Sequence, residues 1–309
     1  MHNLVNDTFI TIFTATYNRA KYLPRLYESL KRQSIFNFEW LVIDDDSIDE
    51  TEEVINGIIK NENRFKIRYY KQQHGGKHRA LNKAFDMSKG KYIFPVDSDD
   101  YLLDDSIENV NKWLLQIDDN EQFIGISGLR INSNAEILGG IPKVDTDAYI
   151  DASVFDREKY NLGGDKAEIF LLSACRKNKF PEFENEYFVT EAVCWDAISS
   201  NGKMIRWFNR PIYVCDYLPE GLTRNGANDI KGHKENYQGY CFFIRQCLTL
   251  YHGVYRAEKL WNYYKTNRSL GKSIYEQAKG LEMHLPFYLL ELCKLLFWGM
   301  KIKVTKFCK

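Results

Sequence analysis

The chain has 309 residues, 44% hydrophobic and 27% charged, which suits one large globular domain or a domain with a smaller appendage and excludes a disordered or fibrous protein. Its 42 basic residues offset its 42 acidic ones, so charge gives no reason to expect nucleic acid as a partner. The seven cysteines form no CxxC pair, and the opening "MHNLVNDTFI" lacks the basic region and apolar core of a secretion signal. They read as reduced core thiols of a cytoplasmic protein.

From the N-terminus, "FITIFTA" (9–15) is a short β-rich run that ends in the polar turn "TYNR". In "KYLPRLYESLKRQ", Leu23, Leu26, Tyr27 and Leu30 recur at helical spacing and predict a helix with one apolar face. "FEWLVI" (38–43) is a second buried strand, and "DDDSIDE" follows it. There Ser47 and Glu50 suggest a capping box for a helix carrying Val54, Ile55, Ile58 and Ile59. "KIRYY" is a third strand, "HGGKHRALNKAFDMSKG" a glycine turn entering a helix, and "KYIFPV" a fourth strand.

Strand alternating with helix over about a hundred residues means parallel strands joined by right-handed crossovers. In such α/β sheets ligands sit beyond the carboxyl ends of the strands. The clusters "TYNR", "DDDS" and "DSDD" all fall at such ends and are expected to converge on one crevice. Further strands ("FIGISGL", "KMIRWF", "PIYVCDY") and a helix near "TEAVCWDAIS" occupy 120 to 220, and a helical extension follows from about 235. The resulting division is a domain over 1–225 and a helical region over 226–309. The final 25 residues join an apolar block to Lys301, Lys303, Lys306 and Lys309. Glu291 and Lys294 interrupt that block too much for a membrane span. It reads as an interfacial amphipathic helix or, alternatively, as a helix packed on the domain.

"VDSDD" places Asp97 and Asp99 as a D-x-D whose side chains point the same way if the segment is extended. Oxygen ligands at a strand end suit Mg²⁺ or Mn²⁺, which bridges substrate phosphates. Such an ion would be the positive partner that these clustered carboxylates require. In "TYN", Thr16 to Asn18, Tyr17 offers a flat surface for stacking a base. Asp44 and Asp45 offer acceptors for a nucleobase imide or a ribose hydroxyl. Lys77, at the glycine turn, could offset diphosphate charge, an ordinary turn formed by Gly75 and Gly76 being the alternative.

The stretches "TIFTATYNRAKYLPRLYESLKRQSIFNFEWLVIDDDSIDET", "GGKHRALNKAFDMSKGKYIFPVDSDDYL" and "EFENEYFVTEAVCW" resemble the family 2 glycosyltransferases, which have the nucleotide-diphospho-sugar transferase (GT-A) fold. The resemblance covers roughly residues 8 to 225. It implies a metal-dependent, inverting transfer of a single sugar from a nucleotide-diphospho-sugar, with UDP the expected nucleotide, to a hydroxyl of a glycan or lipid-linked acceptor. Surface polysaccharide synthesis, at the inner face of the plasma membrane, is the setting it implies. By that resemblance Tyr17 stacks on the base, Asp45 with Asp44 binds the base edge, Asp97 the ribose and Asp99 the metal. Glu191 matches the general base, although Ala192 stands where the family's second acid would follow. Asp165 and Glu168 are rivals for that role. His233 could complete the metal shell and Arg224 could pair a phosphate. "IRWF" is not the QxxRW of processive synthases, because Arg206 and Trp207 lack the glutamine. A nucleotidyltransferase would carry a glycine-rich signature where "TATYNRAKYL" stands. A catalytically silent carbohydrate-binding or scaffold protein is the other alternative.

Overall fold

In the computed structural model the described residues are 10–118, 120–216 and 229–295. The chain divides into two compact units, residues 1–180 with 194–217, and residues 181–193 with 218–309. The segment 181–193, which the sequence places in the first domain, therefore groups with the second unit.

The first unit opens with β1 (Ile10–Thr16), α1 (Leu23–Lys31), β2 (Phe38–Asp44), α2 (Thr51–Asn61), β3 (Lys66–Lys71), α3 (Lys77–Met87) and β4 (Tyr92–Pro95). Each helix buries one stripe, for example Leu23, Leu26, Tyr27 and Leu30 in α1 and Ala80, Leu81, Ala84 and Phe85 in α3. β1 and β2 are buried almost throughout, as strands covered on both faces are. β1 pairs in parallel with β2 and β4, and β2 with β3. The register sets Thr16 beside Asp44, and Asp44 beside Lys71, along one carboxyl edge. Strand pairing thus brings to one edge residues that lie far apart in sequence.

The chain continues through β5 (Tyr101–Leu102), α4 (Ser106–Leu115), β6 (Phe123–Ile131), β7 (Ile137–Leu138), β8 (Tyr149–Ala152), β9 (Lys166–Leu171), α5 (Leu172–Lys177), α6 (Ala192–Ile198) and β10 (Met204–Val214). Among the described residues the sheet runs β3-β2-β1-β4-β9-β6-β10-β5, with β7 on β6 and β8 on β10. β9 is antiparallel to both β4 and β6, whereas β6 and β10 are parallel. The expected α/β architecture is present, with a mixed second half. "KMIRWF" and "PIYVCDY", expected as two strands, form the single β10. The register shifts between Trp207 and Pro211, where proline has no N–H for the ladder. The expected capping box at α2 does not form. The Ser47 amide and hydroxyl instead donate to Asp44 Oδ1 at 2.8 and 2.6 Å. A charged acceptor three residues away outcompetes a helix end.

The second unit holds α7 (Ile230–Glu235), α8 (Tyr237–Leu250), α9 (Gly253–Ser269), α10 (Ile274–Gly280) and a helical run over 285–295. Cys241, Ile244, Leu260, Tyr263, Leu281 and Tyr288 form its core. The buried Tyr263 and Tyr288 hydroxyls both donate to Gln277, to its backbone carbonyl and its Oε1, at 2.8 Å each. A Cβ on Gly280 would lie 2.6 Å from the Tyr263 hydroxyl, so the helix pairing there requires glycine. Glu186 explains why 181–193 joins this unit. Its buried carboxylate accepts from the amides of Gln238 and Gly239 at 2.7 and 2.8 Å, satisfying orphan donors at the start of α8. Among the described residues no helix is long and apolar enough to cross a membrane. Arg224 and the four late lysines lie outside the described residues.

Candidate active site at the strand ends

At the end of β1, Thr16 is buried and its hydroxyl makes no hydrogen bond among the described residues. Tyr17 is 46% exposed, and its ring stacks on His74 at 4.6 Å between centroids. A tyrosine held flat and open to solvent can take a further planar group on its free face. Asn18 has φ of 52°, a conformation that Asn tolerates better than most residues. It ties two loops together by accepting from the Ile48 amide and donating its own amide to Ser47 Oγ, both at 2.9 Å.

At the end of β2, both carboxylates are engaged by the protein itself. Asp44 accepts from Ser47 twice and from the Tyr69 hydroxyl at 2.6 Å. Asp45 accepts from Gly75 and Gly76 amides at 2.9 and 2.8 Å and from Gln72 Nε2 at 2.8 Å. Gly76 has φ of 89°, which only glycine adopts freely, and this lets its amide turn toward Asp45 as α3 begins. Asp45 thereby shapes the loop that presents Lys77.

The β4 end is different. Residues 98 and 99 form a turn, closed by the Asp100 amide donating to the Asp97 carbonyl at 3.1 Å. The extended D-x-D expected from the sequence is therefore corrected to a turn, which folds Asp100 back into the protein. Lys77 Nζ reaches Asp97 Oδ1 at 2.5 Å. Burial acts to raise the Asp97 carboxyl, but Lys77 and Arg130 overrule it and hold it below the usual carboxylate range. Asp99 goes the other way, raised by burial and then by the charge on Asp97. Burial and Asp97 also push Asp100 up to about 8, against the hydrogen bond from Tyr213. The Arg25 guanidinium donates to the Asp99 carbonyl.

Arg130 and Tyr213 join Asp100 in this network, and the sequence reading, which counted Asp100 among the clustered carboxylates, missed the arginine and the tyrosine. The Tyr213 hydroxyl accepts from the Asp97 amide at 2.9 Å and donates to Asp100 Oδ2 at 2.7 Å. Arg130 lies over the Tyr213 ring at 4.2 Å from its centroid. The available signals were an arginine interrupting the apolar strand "FIGISGLRI" and a tyrosine inside the buried "PIYVCDY", each needing a polar partner.

Of the rivals for the base, Glu168 is on β9 beside Arg157 at 3.5 Å, and burial raises its carboxyl. Asp165 is exposed in the preceding loop. Glu191 is half-buried in the turn before α6 and belongs to the second unit. His233 also belongs to that unit, lies flat on Tyr240 at 3.8 Å and is held below its ordinary pKa by burial. Arg206 and Trp207 are structural: Arg206 makes a two-point pair with Asp151 at 2.8 Å, and Trp207 donates to the Ala152 carbonyl at 3.0 Å.

Among the described residues no group of three His, Cys, Asp or Glu side chains could hold a metal ion alone. The donor chemistry of Asp97 and Asp99 still fits a hard cation. Mg²⁺ and Mn²⁺ need one or two carboxylates when waters and substrate phosphates complete the shell.

The profile described as Glycosyl transferase family 2 matches residues 11–125. Over 107 residues the chain is 37% identical to a chondroitin synthase of Pasteurella multocida, a match covering 35% of this chain and only 11% of that synthase. Over 302 residues it is 24% identical to the GalNAc(5)-diNAcBac-PP-undecaprenol beta-1,3-glucosyltransferase of Campylobacter jejuni, covering 96% of this chain and 89% of that one. The structure of S. aureus TarS 1-349 in complex with UDP-GlcNAc superposes with a TM-score of 0.59 at 18% identity, over 93% of this chain and 80% of that one. Residues 11–125, which hold the strand-end clusters, thus match the family 2 glycosyltransferases, and the architecture shared with TarS is the GT-A fold.

Proposed function

We propose that the protein transfers a single sugar, with inversion, from a UDP-linked donor to a hydroxyl of a glycan or lipid-linked acceptor. The observation that carries this reading is the β4 turn: Asp97 paired to Lys77, with Asp99 and Asp100 raised by burial and by Asp97, at the carboxyl edge of a parallel sheet. Carboxylates held in mutual repulsion are poised to gain from an incoming cation. Tyr17 stacks the base, Asp45 orders the loop at its edge, Asp97 takes the ribose, and Lys77 faces the diphosphate. Asp99 would hold Mg²⁺ or Mn²⁺, and His233 is a further candidate ligand. When bound, such an ion neutralises charge growing on the leaving diphosphate.

In the transfer, the acceptor oxygen bonds to the anomeric carbon as the bond from that carbon to the diphosphate oxygen breaks. Glu191 accepts the hydroxyl proton, and the nucleoside diphosphate leaves. Turnover of a panel of nucleotide sugars with Mn²⁺ tests the reading. Glu191→Gln should retain donor binding and lose transfer by about a hundred- to ten-thousand-fold. If Asp165→Asn or Glu168→Gln abolishes transfer while Glu191→Gln remains active, the base is misassigned. A chain that turns over no nucleotide sugar would instead be the catalytically silent binding protein.

The acceptor reading also carries a location, the inner face of the plasma membrane. Phe287, Leu289 and Leu290 are exposed on the helical run over 285–295, and four lysines follow in the sequence. Phe287→Ser with Leu290→Ser should release the protein from anionic liposomes at low salt. Unchanged sedimentation would remove this face from the account.

A further inference from the structure

The second unit holds a half-open cavity of about 800 Å³, with His233 among its lining residues. Its size is that of a small-molecule site. Tyr240, Phe243 and Tyr255 supply an aromatic wall, while α9 lends Lys259, Asn262 and Lys265. Thr190 and Ala192 line it too, so the cavity reaches the residues on either side of Glu191.

Some of its polar groups serve the fold, as Asn236 does by accepting from the Tyr187 and Phe188 amides at 2.8 and 2.9 Å, whereas others do not. Lys259 is half-buried, with Nζ 4.8 Å from the Tyr255 ring centroid and 5.3 Å from that of Phe243. Among the described residues no carboxylate pairs with it or with Lys265, whose ammonium lies 6.0 Å from the Trp261 ring. Lysine seldom gives up water without a counter-charge. The half-buried Asn262 amide makes no hydrogen bond among the described residues. The acid on the rim, Asp229, is occupied in capping α7, where it accepts from the Gly232 amide at 2.8 Å. Cations without anions, a free amide and an aromatic wall are together complementary to a sugar ring bearing a negative group.

We propose that this cavity is a saccharide site, built for a sugar that carries a phosphate or carboxylate: the ring lies on the aromatic wall, the anion at Lys259 and Lys265, and a hydroxyl at Asn262. The ligand class rests on the cavity, independently of the sugar-transfer reading. Direct binding without nucleotide keeps the two apart. The full-length protein is titrated by isothermal titration calorimetry with glucose, glucose 1-phosphate, glucuronate and inorganic phosphate. Both anionic sugars should bind about tenfold more tightly than glucose. That preference should vanish in Lys259→Met and shrink in Lys265→Gln, with melting temperatures confirming that both variants fold. Asn262→Leu should weaken all three sugars alike. Preference for glucose 1-phosphate over glucuronate identifies phosphate as the anion, and the reverse identifies carboxylate. Equal or absent binding of the three sugars overturns the proposal, as does a preference that survives in both lysine variants. Inorganic phosphate binding as tightly as glucose 1-phosphate also overturns it, because the cavity would then read no sugar. Binding of anionic sugars by a protein that never cleaves a nucleotide sugar would sink the transfer reaction and leave the ligand class standing.

Discussion

The ends of β2 and β4 both present a run of carboxylates, "DDDS" and "DSDD", and the protein treats them in opposite ways. At β2, Asp44 and Asp45 are saturated by hydroxyls, amides and a glutamine, so their charge is spent on fixing loops. At β4, Lys77 and Arg130 hold Asp97 down, whereas at Asp99 and Asp100 burial and then the charge on Asp97 outweigh the same cations. Equal composition therefore serves two ends. On the proposed reading, carboxylates met by neutral donors hold loops, and those still raised by burial and a neighbouring charge are where a cation would contribute most.

The difference can be broken at either end. The largest effect is expected on turnover: Asp99→Asn should reduce transfer on the order of a hundredfold or more while folding normally, because it removes a charge the fold disfavours. Steady-state rates beside a urea titration check it, and a variant that loses both stability and activity would make the β4 turn architectural. Asp44→Ala should show the converse, a loss of about 3 kcal/mol in unfolding free energy as Ser47 and Tyr69 lose their acceptor. A fully stable Asp44→Ala protein with no donor binding would reverse the roles assigned to the two ends.

A smaller effect probes the far side of the β4 network, where Lys166 is buried and Arg130 Nε donates to its carbonyl at 2.9 Å. Burial, then the Arg157 charge, lowers its ammonium to about 8. Its folded pKa is thus below the unfolded one, so the unfolded chain binds more protons between about pH 8 and 10.5. The cost of burying this ammonium is complete below that window and fades as pH rises through it. Lys166→Met should therefore gain stability over the parent protein at pH 7 by a margin that narrows toward pH 10. Denaturant titrations across that range would show a constant margin if the ammonium is instead well solvated.

Much of the β1–β4 half was legible in the sequence because its signals are local. Apolar runs of strand length alternate with helical stripes, and polar clusters mark the ends. What was not legible depends on partners distant in the chain. Arg130 meets Asp97 from a strand over thirty residues later, and Tyr213 meets Asp100 from over a hundred. Ser47 scored as a helix cap until Asp44 competed for it. The D-x-D turn follows from the burial of Asp100, which depends on β10. Segment 181–193 joins the second unit through Glu186 and amides fifty residues on, a pairing with no local trace.

The central claim, that the β4 end and not the β2 end receives the donor's charge, has a direct test in ligand-induced thermal stabilisation. Parent protein and Asp99→Asn are heated with UDP-GlcNAc in Mn²⁺ and in EDTA. Ligand that binds only the folded state raises the melting temperature by mass action. The account predicts an upward shift for the parent in Mn²⁺ alone and none for Asp99→Asn in either buffer. An equal shift in EDTA, or an undiminished shift in Asp99→Asn, would contradict it.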